Sequence, residues 1–427
     1  MIIQPLICLR RILYFKIYYN MKFFNRKNMK KYFVFYPGII FLIIIGCSSD
    51  NQLKNSLPCI DVRKNYPEKE IILTDIADIH YIHLSTEYDN YLYQGVINYV
   101  TENTIVVFDL SSGSILFFAK DGKPKSRFNN SGSGPEEYFF NRFNSVIFDE
   151  AADDVFVSTV PSNIFQVYSS VGEYKRKITL PQGTGVGSII DYDDQSFFIY
   201  DLQNEFKKKS EEESTYQPQS LDSSYFRISK INGKVLEYIT FPGNEIDLSV
   251  QFSVDGGWIR KMPPHRRIVK CATGLFLCHI DTDTVYFYGK DKSLIPILCK
   301  IPLASDIEPK LVLNNYFETD QYQFMQIIPL SWENSLTEKC YLRDKKTGKI
   351  FRQKIILPDY SGKEFSIAGY YMQYHNNVYQ AVFEMDLIEL KAAYEENRLG
   401  GKLKDLVATL NEYEDNNVFM FVSFKQN

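Results

Sequence analysis

One turn recurs along this chain and constrains what it can fold into. Ile115-Leu116-Phe117-Phe118 runs into Asp121-Gly122-Lys123, and Phe165-Gln166-Val167-Tyr168 into Val171-Gly172-Glu173. Tyr225-Phe226-Arg227-Ile228 leads to Asn232-Gly233-Lys234, Val285-Tyr286-Phe287-Tyr288 to Lys290-Asp291-Lys292, and Cys340-Tyr341-Leu342 to Thr347-Gly348-Lys349. Gly, Asn and Asp tolerate the positive φ that tight hairpin turns need, so each site reads as a hairpin between apolar strands. The turns near 122, 172, 233, 291 and 348 are 50, 61, 58 and 57 residues apart. A period of about 50–60 residues built from short strands is that of propeller blades, each a four-stranded sheet. Five such units plus the tail from about 360 make six, and residues 72–427 divide into about 59 residues per blade. An antiparallel sandwich is the competing architecture, but its turns carry no longer period. The 31 Tyr and 32 Phe suit half-buried strands.

Two segments interrupt the period. Residues 205–224, with Lys207-Lys208-Lys209 and Glu211-Glu212-Glu213, read as a solvated insertion in the third blade. Residues 384–411 place Leu387, Leu390, Ala393 and Tyr394, then Leu403, Leu406 and Leu410, at helical spacing around Gly400-Gly401. Two short helices are expected there, packed on the propeller ahead of a last strand from Val418 to Phe424.

The N-terminus reads as an address. Residues 1–46 hold eight Lys/Arg and no Asp/Glu. Met29-Lys30-Lys31 opens a basic segment, and a short apolar run ends at Gly46-Cys47-Ser48-Ser49-Asp50. The run is shorter than the roughly 20 residues of a membrane span and fits a secretory signal, with Met29 as the natural start. Cys47 after a small residue resembles the bacterial lipobox, in which that cysteine is lipidated. By resemblance to the sorting rule for such signals, Ser48 points to an outer-membrane lipoprotein, periplasmic or surface-facing. Residues 47–71 are expected to form a tether and 72–427 the propeller. Without the basic leader, 40 basic and 52 acidic residues remain. That balance argues against nucleic acid as a partner.

Five cysteines follow the leader: Cys59, Cys271, Cys278, Cys299 and Cys340. An odd number excludes a complete disulfide framework, and they read as free thiols in strands, with Cys271 and Cys278 near enough across Gly274 to face each other in a hairpin.

Several residues carry a family resemblance in combination. Ile79-His80-Tyr81-Ile82-His83-Leu84 precedes Ser85-Thr86-Glu87. Gly132-Ser133-Gly134-Pro135-Glu136-Glu137-Tyr138 approximates a G-x-G-P-x-E-Y signature. Glu414-Asp415-Asn416-Asn417-Val418 closes the chain, with Asn417 where proline is usual. Over 72–427 the sequence resembles the six-bladed β-propeller lipoproteins of Bacteroidetes, related to NHL-type propellers. The resemblance implies an all-β six-bladed propeller with a short helical insertion near the C-terminus, an envelope location, and a ring closed by residues 79–84 beside the C-terminal strands.

Chemistry is thinly signalled. Gly132–Pro135 lacks the Gly-Lys-Ser/Thr ending of a phosphate loop and reads as an inter-blade crossing pinned by Glu137 and Tyr138. Gly183-Thr184-Gly185-Val186-Gly187 lies in strand context, which disfavours a dinucleotide site. No G-x-S-x-G or H-E-x-x-H occurs. No metal cofactor is indicated beyond weak calcium candidates, Asp149, Asp153 and Asp154 or Asp191, Asp193 and Asp194, and these read first as solvated turns. The richest stretch is Trp258 to Lys270, which gathers Arg260, Lys261, His265, Arg266, Arg267 and Lys270. An aromatic plate with basic forks fits a carboxylate or acidic-sugar ligand at Trp258, Arg260, His265, Arg266 and Arg267. The function expected is a lipid-anchored binding scaffold without catalysis, its partners a glycan, an anionic small molecule or an envelope protein. The alternatives are a propeller hydrolase, lactonase or glycan lyase with a channel-mouth site, and a structural subunit of an envelope complex.

Overall fold

The computed structural model describes residues 57–87, 91–140, 145–158, 163–181, 184–201, 224–242, 250–254, 257–261, 267–279, 282–330, 339–366, 371–375 and 378–425. The leader, the insertion at 205–224 and Cys47 fall wholly or almost wholly outside them.

The chain enters through β1 (Cys59–Asp61), β2 (Glu68–Ile72), a helical turn α1 (Leu73–Ile76) and β3 (Ala77–His83). Blade one follows with β4 (Gly95–Val100), β5 (Thr104–Asp109), β6 (Ile115–Ala119) and β7 (Pro124–Phe128). Blade two holds β8 (Ser145–Asp149), β9 (Asp154–Ser158), β10 (Ile164–Tyr168) and β11 (Tyr174–Thr179). Blade three holds β12 (Val186–Asp193), β13 (Ser196–Asp201), β14 (Tyr225–Ser229) and β15 (Val235–Ile239), and a separate hairpin follows, β16 (Val250–Val254) with β17 (Gly257–Lys261). Blade four is β18 (Ile268–Cys271), β19 (Gly274–Cys278), β20 (Thr284–Gly289) and β21 (Leu294–Ile301). Blade five is β22 (Lys310–Glu318), β23 (Tyr322–Leu330), β24 (Lys339–Asp344) and β25 (Ile350–Ile356), with the short β26 (Glu364–Phe365) on its edge. Blade six takes β27 (Tyr371–His375) and β28 (Val378–Met385), then the helices α2 (Leu387–Glu395) and α3 (Gly401–Ala408), then β29 (Val418–Phe424). Both helices and the last strand lie where the spacing predicts them.

Six sheets of four or more strands result, and the fourth strand of blade six is β3, from the other end of the chain. It pairs with β29 from Val418↔His83 to Phe424↔Ala77. The repeated turn therefore occurs five times and not six, because the sixth corner is where the ring is joined. Its φ is positive at Gly122, Gly172, Gly233, Lys292 and Gly348, as the turn chemistry requires. Asn416 locks the seam: its side chain donates to the Leu84 and Tyr91 carbonyls and accepts from the Tyr93 N–H.

The burial pattern explains the composition. Second strands β5, β9, β13 and β19 are buried along their whole length, while outer strands β7, β11 and β15 alternate. A sheet packed on both faces needs continuous apolar runs, and an edge strand needs one wet face. Between blades the space fills with edge-on aromatic rings, such as Phe117–Phe148, Phe156–Phe197 and Phe276–Tyr316, which add favourable quadrupole geometry to their burial.

The entering strands revise the expected tether. β1 pairs parallel with β21 and β2 parallel with β25, so the compact unit starts at Pro58 and not at 72. β1 is only three residues long, and β2 is largely polar with Glu68, Glu70 and Ile72 exposed, so neither carries the apolar alternation that marks a strand. The cysteine reading is also corrected. Cys59 and Cys299 are register partners joined by a disulfide across 240 residues, which spacing along the sequence could not reveal. Cys271 and Cys278 are free thiols, and Cys340 stands outside this disulfide with its Sγ 3.4 Å from Ser366 Oγ; Cys271 pairs with Gly274, and Cys278 with Val285 on the next strand, so they do not face each other.

Candidate functional site

Each innermost strand runs along the central channel and ends in the turn to its second strand. Toward that end a cavity of about 420 Å³ is lined by residues of blades one, two, three, four and six. From the sequence alone the innermost strand of each blade is expected to line the channel, for example Val96–Val100, Ser145–Phe148 and Ile189–Tyr192, and residues of all three stretches contribute to the cavity wall. The inter-blade crossings leave from the opposite end, because four antiparallel strands return the chain to where the blade began.

Asp191, near the end of β12, is the hub of the cavity. Its Oδ1 lies 2.9 Å from Lys230 Nζ, and its Oδ2 accepts from the Tyr99 hydroxyl at 3.2 Å. Its main-chain carbonyl accepts from Lys270 Nζ at 2.8 Å. Lys230 also reaches Asp149 Oδ2 at 3.3 Å. Blades one to four thus meet around Asp191, two of them at its carboxylate, blade four at its main-chain carbonyl and blade two through Lys230. Lys230 comes from the recurring turn of blade three and is only 5% exposed. An ammonium so buried needs paired carboxylates, and losing it would leave two acids facing each other.

The remaining lining acids are mostly engaged. Glu150 accepts from the Thr104 hydroxyl at 2.6 Å and lies 3.6 Å from Lys125 Nζ. Its carboxyl sits below the usual range, since these hydrogen bonds outweigh the opposing effect of burial. Asp193 accepts from Ser196 Oγ at 2.6 Å and lies 3.6 Å from Arg227. Lys270 is half-buried, and burial, helped by the Lys230 charge and opposed by Asp191, Asp193 and Asp194, holds its proton affinity below that of an ordinary lysine. Among the described residues no group of three His, Cys, Asp or Glu side chains is arranged to hold a metal ion. The lining carboxylates come from two blades, Asp149 and Glu150 from the second and Asp191, Asp193 and Asp194 from the third.

The basic stretch divides. Trp258 and Arg260 lie on β17, whose side chains are outside the described residues, as are His265 and Arg266. Arg267 is 7% exposed and stacks over the Tyr200 ring at 4.4 Å, packed between blades three and four and away from the cavity lining. Lys270, at the end of the same stretch, does reach the cavity. Lys230 was missed by sequence reading. A lone lysine in a turn reads as solvated, and only superposing the blades would place it at the channel.

The Gly132 loop is a crossing. Gly134 N–H donates to Glu137 Oε2 at 2.7 Å, and the Tyr138 hydroxyl donates to the Gly113 carbonyl at 2.6 Å. A Cβ on Gly132 would stand 1.9 Å from that Glu137 oxygen, so the glycine makes room for the carboxylate that holds the loop.

One solved structure shares the architecture. A Bacteroides fragilis protein described as exported superposes with a TM-score of 0.58 at 15% identity, over 87% of this chain and 100% of that one. A Bacteroides vulgatus member of the DUF4221 family gives a TM-score of 0.40 at 9% identity, over 82% and 97%. No curated protein matches the sequence. The model of the DUF5128 family, described as a 6-bladed beta-propeller, matches residues 48–380, and with six blades on the page the chain belongs to that family.

Proposed function

We propose that this chain is an exported, lipid-anchored propeller that binds a small polar ligand at one end of its channel and does no chemistry on it. The observation that carries this reading is the cavity of about 420 Å³ walled by five blades. Small-molecule sites commonly measure about 300–1,000 Å³ and present a few convergent polar groups. The acids here already serve as acceptors for Lys230, Tyr99, Thr104 and Ser196, which suits a rigid recognition surface. The envelope address rests on Gly46-Cys47-Ser48 after a short apolar run. Among the described residues no helix is long and apolar enough to cross a membrane; in this reading the lipid on Cys47 provides the attachment, and Ser48 directs it to the outer membrane.

Calorimetry of the purified protein against neutral oligosaccharides, uronates and dipeptides tests the site. Binding is expected for one class, and Ser145→Trp, which puts a large ring at a position of the cavity lining, should abolish it while the melting temperature holds. Binding that survives the plug removes the cavity from consideration. Cys47→Ser should move the protein from the detergent to the aqueous phase on Triton X-114 partition, and retention in detergent refutes the anchor.

A further inference from the structure

The charges around the cavity pair off unequally. Asp149 and Asp191 share Lys230, Glu150 faces Lys125, and Asp193 faces Arg227. Two lining charges are left over. Lys270 Nζ donates to the neutral Asp191 carbonyl and makes no close ion pair among the described residues, while the Asp191, Asp193 and Asp194 carboxylates act on it only from further off. Asp194, at the exposed turn after β12, has neither an ion pair nor a hydrogen bond among them. One is a half-buried cation inside the cavity and the other an exposed anion at its rim.

We propose that the ligand is a small zwitterion, a free amino acid or short peptide, with its carboxylate on Lys270 and its ammonium group toward Asp194. This rests on the channel-mouth reading and adds the ligand's chemical class. A plain anion would meet Lys270 but also the surplus of acids. A plain cation would find most of those acids occupied and would stand against Lys270. A molecule carrying both charges answers both unpaired groups. The Tyr99, Tyr374 and Gln373 side chains offer hydroxyl and amide partners or apolar walls for what lies between. The two ends differ in weight. An ion pair at half-buried Lys270 is less screened than one at the exposed rim, where such pairs contribute little.

The test is calorimetry at low salt with glycylglycine, its C-terminal amide, its N-acetyl form and maltotriose. Glycylglycine should bind. Amidation should weaken binding at least about tenfold, and N-acetylation only a few-fold, following the unequal burial of the two charges. Lys270→Met should cost about as much as amidation, and Lys270→Arg should restore most of the loss. Lys270→Met gives up the hydrogen bond to the Asp191 carbonyl but no close ion pair, so it should still unfold cooperatively at a slightly lowered midpoint, with Lys270→Arg nearer the parent. Equal binding of the amide, or of Lys270→Met, overturns the proposal. If maltotriose binds instead and Ser145→Trp abolishes that, the zwitterion is wrong while the channel-mouth reading stands. If no probe binds at millimolar concentration, both fall.

Discussion

His83 ends β3 with its Nε2 3.3 Å from Asp415 Oδ1, one side chain from each end of the chain. Burial holds its proton affinity below the ordinary histidine value, against the smaller opposing pull of Asp415. As pH falls below about 6.5 the unfolded chain takes up this proton before the folded one does. Stability contributed by the neutral imidazole is therefore present above that pH and lost as pH falls through the depressed folded value. Urea midpoints between pH 5 and 8 should show this slope, and His83→Gln should flatten it; an unaltered slope assigns the dependence elsewhere. At this scale the sequence is least legible. Asn416 lies inside a recognisable terminal motif, but nothing local says that its amide would satisfy the Leu84 and Tyr91 carbonyls more than 320 residues away. Lys270 was visible as part of a basic stretch, whereas its separation from Arg267, three residues earlier, is decided by which face of a blade each one occupies.

The recurring turn is the most legible element because its requirement is local. A positive φ needs Gly or a tolerant substitute, and it leaves its mark in four or five residues. Blade four uses Lys292 at φ 66°, preceded by Asp291, whose carboxylate accepts from the Ser293 N–H and hydroxyl. In blade one the glycine has a second duty. Gly122 sits against the preceding blade's outer strand, and a Cβ there would stand 2.1 Å from the His83 carbonyl oxygen. Gly122→Ala combines a strained φ of 87° with a backbone clash, and should cost about 2 kcal/mol or more in urea unfolding. A loss below about 0.5 kcal/mol would mean the seam gives way without penalty. The helices α2 and α3 were legible for a similar reason, a spacing that repeats within one segment. The strands β1 and β2 were not, because their partners lie 240 and 284 residues on and their side chains carry no alternation.

Closure is a property of the whole ring. Each inter-blade core needs a blade on both sides, and the contact of Leu84, Phe118, Phe419 and Phe421 joins blade six to blade one. Without β3, β29 is left with a bare edge of backbone donors and acceptors beside that core, and an open propeller exposes the strand edges that invite aggregation. The strand β1 differs, since it adds to the outside of a blade that is already four-stranded. A deletion and a double substitution separate these roles. Deleting residues 72–90 should abolish a single cooperative urea transition and leave aggregated protein, because the loss spreads around the ring. Replacing Cys59 and Cys299 by Ser should keep the transition cooperative and lower it by about 2–5 kcal/mol, the usual cost of losing a long-range disulfide. If the 72–90 deletion still melts cooperatively at the parent midpoint, the ring is not closed through β3. The channel walled by blades one, two, three, four and six would then need another explanation for its rigidity.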